Sequence, residues 1–173
     1  MFCNKLSGLT GALLIMLASE TTFADPVTIN ITGNIVASPC TVNGGNNALS
    51  VSLGDIQASS LQTAGATSPA KDFSIDLTDC PTGTTNVKVV FSGTEDTEGG
   101  SSYYKNSGTA KNVAVALIDK STGSKLGNGE SIEQEVTADK TVTFELQTQA
   151  YSVSGGALPG TIQAAITADL TYQ

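Results

Sequence analysis

The chain predicts an all-β fold, an antiparallel sandwich of immunoglobulin-like type, and three observations carry that prediction. Apolar residues alternate with polar ones in roughly seven short runs, the pattern of half-buried strands. Connections rich in Ser, Thr, Gly and Asn separate these runs, and no long amphipathic helix interrupts them. Two cysteines remain once an export signal is set aside, which suits a sandwich with one bridge. Trp is absent, so the core is not of the antibody kind.

The first element is one to be removed. Residues 1–24 carry one early cation, Lys5, then an apolar stretch over residues 9–18, then Thr22-Phe23-Ala24 with small residues at the outer positions of a cleavage site. This reads as a secretory signal peptide. The apolar run is well short of the ~20 residues that a membrane-spanning helix needs. The mature chain is expected to begin at Asp25, and Cys3 leaves with the signal. Cys40 and Cys80 then remain in a chain bound for an oxidising compartment, where they are expected to pair. Closing a loop of that length removes unfolded-chain entropy worth roughly 4 kcal/mol on the chain-entropy model. The bridge reads as structural, since there is no Cys-x-x-Cys pair to suggest redox work.

The mature chain opens on an alternation at Val27, Ile29, Ile31, Gly33 and Ile35. Leu49, Val51 and Leu53 alternate before Gly54-Asp55. Phe73, Ile75 and Leu77 alternate before Asp79-Cys80-Pro81, where proline removes a ladder donor. Val87, Val89 and Phe91 stop at Ser92-Gly93. Val113, Val115 and Leu117 lead to a polar turn, and Ala114 and Ala116 on the opposite face suggest a strand covered on both sides. Val142, Phe144 and Leu146 make another face. Asn43-Gly44 and Asn128-Gly129 suit tight turns with positive backbone dihedrals. Residues 55–68 read equally well as a loop or as a helical turn. The chain closes on Ile162, Ala164, Ile166, Ala168, Leu170 and Tyr172, an alternation that runs from Gly160 to Gln173. Matching strands at both ends suggest a subunit built to be linked.

About 149 residues follow the signal, enough for one domain with one sizeable core. The net charge is −8, and the mature part holds lysines but neither arginine nor histidine. That balance argues against nucleic acid and against insertion into an anionic membrane surface. Without histidine the usual general base, triad relay and commonest neutral metal ligand are missing, and a disulfide would remove both thiolates. No catalytic residue, metal ligand or cofactor is assigned. The alternatives are a carboxylate-based hydrolase built on Glu95, Asp96 and Glu98 or on Glu130, Glu133 and Glu135, and a sugar-binding module using Tyr103-Tyr104 in what reads as a Gly/Ser-rich loop. Both acidic clusters read better as solvated charge that protects strand edges.

Several stretches together resemble a known family. They are Gly33-Asn34-Ile35-Val36 leading to Pro39-Cys40-Thr41-Val42, then Val51-Ser52-Leu53-Gly54-Asp55, Leu77-Thr78-Asp79-Cys80-Pro81 and Phe91-Ser92-Gly93. The chain end adds Gly160, fourteenth from the end, and a penultimate tyrosine, Tyr172. The chain resembles the chaperone-usher pilus subunits of the type 1 fimbrial kind over its whole mature length. Tyr103-Tyr104-Lys105-Asn106 with Gly108-Thr109-Ala110-Lys111-Asn112 is most similar to the minor tip-fibre, or adaptor, kind.

The resemblance implies an incomplete immunoglobulin-like sandwich, a pilin domain over residues 39–173, which lacks its last strand. It implies that residues 25–38 are a donor-strand extension acting through Val27, Ile29, Ile31, Gly33 and Ile35. It implies too that Gly160, Ile162, Ala164, Ile166, Ala168, Leu170, Tyr172 and Gln173 border the groove that a donor fills. The partners it implies are a periplasmic chaperone, an outer-membrane usher and neighbouring pilus subunits, with the cell-surface pilus as destination. Donor-strand complementation in chaperone and pilin complexes is itself a named instance of β-augmentation.

Overall fold

A computed structural model describes residues 28–36 and 38–173. The signal sequence assigned to residues 1–24 and the donor position Val27 lie outside the described residues. The chain divides into two units, residues 1–34 and 35–173. The described part of the first, residues 28–34, is exposed and carries no regular secondary structure.

Among the described residues nine strands build the second unit: β1 (Thr41–Val42), β2 (Lys71–Thr78), β3 (Asn86–Gly93), β4 (Glu95–Asp96), β5 (Gly100–Lys105), β6 (Ala114–Asp119), β7 (Ser131–Glu135), β8 (Val142–Tyr151) and β9 (Ile166–Tyr172). One sheet has the order β1-β2-β8-β6-β5-β4 and the other β7-β3-β9. Every named pairing is antiparallel. No α-helix occurs among the described residues; the expected ambiguity over residues 55–68 resolves into a single 3₁₀ turn, Ala58–Leu61, which buries Leu61.

The core follows from side-chain alternation, because residues two apart on a strand share a face. β8 shows it best: Val142, Phe144, Leu146, Thr148 and Ala150 point inward and are buried, while the residues between them are exposed or half-buried. Ile75 and Leu77 of β2, Val115 and Leu117 of β6, and Val87, Val89 and Phe91 of β3 complete the inner layer. Cys40 and Cys80 are bonded to each other at the edge of this core and staple the segment before β1 to the end of β2.

The outer face of β6 is covered too. Ala114 and Ala116 are fully buried there, with Tyr103 of β5 on one side and Tyr151 of β8 on the other. The two rings stack with centroids 4.2 Å apart, leaning over the small Ala114 side chain that faces Tyr151 in the ladder. The Lys125 ammonium lies 4.7 Å from the Tyr103 centroid.

The structure corrects three expectations. Tyr103 and Tyr104 belong to β5 and not to a loop. Tyr104 turns inward, fully buried, and donates its hydroxyl to the Leu126 carbonyl at 2.9 Å. Leu49, Val51 and Leu53 form no strand, although their segment alternates, because residues 47–56 have no ladder partner. The final strand is shorter than its alternation: Gly160, Ile162 and Ala164 precede β9 in a lead-in that a loop holds, since β3 ends opposite Ile166.

Candidate functional site

β9 pairs with β3 on one side and with nothing on the other among the described residues. Its orientation follows from its end. Gln173 and Asn86 exchange both backbone bonds, Gln173 N–H to Asn86 O at 2.9 Å and Asn86 N–H to Gln173 O at 3.1 Å. The β3–β9 register runs without a bulge from Val87–Tyr172 to Gly93–Ile166. In such a ladder alternate residues aim their backbone groups at the partner strand. The odd-numbered residues of β9 therefore face β3, and Ile166, Ala168, Leu170 and Tyr172 turn their N–H and C=O groups toward the open edge.

The same four residues carry the inward side chains. None of them is fully buried, and the half-buried, exposed alternation extends back through Ala164 and Ile162. They pack on the main core from the side yet keep part of their surface uncovered. On the inner face of β8 the equivalent row is closed over. The contrast locates a missing layer: the core is complete beneath β8 and open beside β9.

That opening is a groove of about 1230 Å³. One wall is residues 160–170, the other residues 47–56, and Phe91, Leu117 and Leu146 lie on its floor. The first wall is bonded on its far side and turns the backbone groups of its even-numbered residues to the groove. The second wall belongs to no ladder, and its Leu49 and Val51 remain 48% and 38% exposed. A groove with one free strand edge and an apolar floor accepts an extended peptide by backbone pairing, with alternate side chains entering the floor.

Tyr172 anchors one end of the first wall. Burial pushes its hydroxyl above the ordinary tyrosine range, and a hydrogen bond with the Cys40 backbone partly offsets that rise.

The residues expected to act as donors are exposed. Ile29 and Ile31 are 77% and 90% exposed, Ile35 fully so, and a methyl group added at Gly33 would meet nothing within 4 Å. Four large apolar side chains in one short segment, Val36 included, are thus presented to solvent. Isolated exposed apolar residues are ordinary, whereas a contiguous row marks a contact surface.

The acidic residues do not converge. Glu95 accepts from the Asn128 side-chain amide at 2.9 Å, Asp96 from the backbone N–H groups of Glu98 and Gly99, and Glu98 from the Ser154 hydroxyl at 2.6 Å. Glu133 and Glu135 are exposed on β7. No group of three potential metal ligands occurs among the described residues. Tyr103, only 6% exposed beneath Tyr151 and Lys125, offers no free ring face to a sugar.

The fold and groove together define an immunoglobulin-like β-sandwich subunit with one open strand edge beside its core. The family model described as "Fimbrial protein" matches residues 29–173. The chain is 43% identical over 172 residues to Protein FimG of Escherichia coli (strain K12), covering 99% of this chain and 98% of that one. It is 32% identical to the type-1 fimbrial protein, A chain, of the same strain, covering 97% and 94%. The solved P pilus rod subunit PapA superposes with a TM-score of 0.65 at 22% identity, covering 79% of this chain and all of that one. This chain belongs to the fimbrial protein family and is a structural, non-enzymatic subunit of chaperone-usher pili, exported to the cell surface. The likeness to FimG exceeds the likeness to the A chain.

Proposed function

We propose that the subunit is a link with two unlike ends: its groove takes a strand from one neighbour, and its own residues 25–38 fill the groove of another. On this reading residues 1–24 direct export, residues 25–38 are the donor and residues 39–173 are the accepting domain. Val27, Ile29, Ile31 and Ile35 enter successive floor positions of the neighbour. Gly33 permits close backbone approach at the one position without a large side chain. A periplasmic chaperone occupies the groove first, and the incoming donor replaces its strand at the usher.

One observation carries the proposal: the inward residues of β9 stay half-buried along an unpaired edge, beside a groove whose floor is core. The greater likeness to FimG favours an adaptor between unlike neighbours over a repeating shaft unit.

The test is the thermal midpoint of the oxidised chain lacking residues 1–38, alone and with donor peptides. A peptide of residues 25–38 is one, and the matching extension of each companion subunit supplies the others. A peptide at a hundred times its Kd adds about 2.7 kcal/mol, a rise on the order of 10 °C for a domain of this size. A low midpoint raised by a companion's peptide but not by its own supports the adaptor. A rise with its own peptide supports a self-polymerising unit. A high midpoint that no peptide moves would mean a complete sandwich and would overturn the proposal.

A further inference from the structure

Resting on the reading that the groove accepts a donor strand, we propose that the loop of residues 106–110 is a positioning element for that strand. The loop stands in for β3 beside residues 160–165 and thereby sets where the accepting edge begins.

The geometry is that of a substitute strand. β3 ends at Gly93, opposite Ile166, so the lead-in to β9 has no ladder partner on that side. Thr161 and Gln163 are nevertheless bonded there, each through both backbone groups. Ala110 N–H donates to Thr161 O at 3.0 Å and Ser107 N–H to Gln163 O at 2.8 Å. In return, Thr161 N–H donates to the Thr109 hydroxyl and Gln163 N–H to Asn106 Oδ1, each at 2.8 Å. Two side-chain oxygens thus act where backbone carbonyls would act in a strand. The match is reciprocal at Thr109, whose own N–H donates to the Thr161 hydroxyl at 3.0 Å.

The consequence lies on the opposite edge. Thr161 and Gln163 are odd-numbered, in phase with the residues of β9 that face β3, and their side chains are exposed. Ile162 and Ala164 are left in phase with Ile166, Ala168, Leu170 and Tyr172: half-buried, and turning their backbone groups to the groove. Ile162 also packs on both the main core and the end cluster around Leu61, so its position is fixed by apolar contact as well. The loop fits closely. A methyl group on Gly108 would overlap the Thr161 carbonyl, and one on Gly160 would overlap the Ala110 amide. Asn106 braces the loop by accepting from Gly108 N–H at 2.9 Å and donating to Ala110 O at 3.0 Å.

If residues 160–165 were free on both sides, their ordering would fall to the moment of docking, and the first pairs of the new ladder would weaken accordingly. Holding them beforehand makes Ile162 and Ala164 usable pairing partners from first contact.

The experiment is amide hydrogen exchange on the mature oxidised chain, with and without a peptide of residues 25–38 or the matching extension of a companion subunit. In the unaltered chain, Ile162 and Ala164 gain protection on docking along with Ile166, Ala168, Leu170 and Tyr172. In N106A the later four still gain protection, Ile162 and Ala164 do not, and peptide affinity falls about tenfold, the equivalent of one or two pairing bonds. N106D keeps the acceptor for Gln163 N–H and restores the protection of Ile162 and Ala164. T161V, which removes the reciprocal hydroxyl contact, behaves like N106A and serves if that variant does not fold. Protection of Ile166 to Tyr172 without Ile162 and Ala164 in the unaltered chain would overturn the role of the loop while leaving strand acceptance intact. Protection of none of the six with any peptide would overturn strand acceptance and the loop's role together.

Discussion

Ile31→Asp separates folding from linking. Ile31 is 90% exposed in this subunit, so the substitution touches nothing that holds its own domain together. Its unfolding free energy should change by no more than about 0.5 kcal/mol, the ordinary range for exposed positions. In the neighbour's groove the same side chain would be buried. Burial of an isoleucine contributes roughly 1.5–3 kcal/mol. Placing a carboxylate on an apolar floor costs several kcal/mol more, or forces it to take up a proton. A loss of at least about 3 kcal/mol follows, on the order of a hundredfold weaker docking. The assay has two readouts: recovery of the variant bound to its periplasmic chaperone, and its exchange onto the groove of the next subunit. The first should match the unaltered chain and the second should fail. Thr32→Asp is the control, because in a paired strand its side chain faces away from the floor. Equal failure of both variants would refute the alternation argument, and normal docking by Ile31→Asp would refute the donor role of this segment.

The remaining predictions concern the domain itself. Burial pushes the Tyr104 hydroxyl up to about 12. Between the ordinary value near 10 and about 12 the unfolded chain loses this proton and the folded chain keeps it, so stability falls as pH rises through that window. The full effect is roughly 2–3 kcal/mol. Urea unfolding from pH 9 to 11.5 should show that fall, and Tyr104→Phe should lessen it while lowering stability near pH 7 by about 1–2 kcal/mol through the unpaired Leu126 carbonyl. At Asp119 burial opposes the charge, yet hydrogen bonds from the side chains and backbone of Ser121 and Thr122 prevail and hold the carboxyl below its ordinary value. Its contribution is complete above pH 4 or so and is lost as pH falls through the lowered value. Asp119→Asn should therefore flatten the acid limb of the stability curve; an unchanged limb would show that this turn does not couple to folding.

Period-two alternation made most of the sandwich legible, because β2, β3, β6 and β8 each line the core with one side of a strand that has neighbours on both edges. It failed at β7 and over residues 47–56, although the edge strand β9 was legible from its alternation. Ser131-Ile132-Glu133-Gln134-Glu135 forms β7 with a single apolar residue turned inward, so its pattern is nearly silent. Residues 47–56 alternate well and yet form no ladder, because pairing is a property of two segments and their partner is absent. The sequence does carry a signal for β5: adjacent tyrosines, one buried in the core and one in the outer cluster, are what a strand covered on both faces requires. Nothing local shows that residues 106–110 meet residues 160–163. That contact depends on where β3 stops.

The sheet edges bear on why the proposed association at this surface would be linear. β1 and β4 are two residues long, and β7 carries exposed Glu133 and Glu135, so three of the four edges are too short or too charged to template another strand. Short or charged edges are the usual defence against edge-to-edge aggregation. The fourth edge, β9, has seven ladder residues, with a core floor beside it and only Asp169 charged along its length. One undefended edge accepts one strand. A second strand added at the same place would find the floor already covered, since the inward residues of β9 are the core surface left open. Paired with the exposed apolar segment of residues 29–36, which is proposed as the donor, this would give each subunit one acceptor and one donor. Unlike surfaces joined head to tail without closing a ring extend as a filament. The open edge and the three protected ones are parts of the same solution: the edge that would make an ordinary sandwich aggregate is kept, and the others are blunted so that growth has one direction.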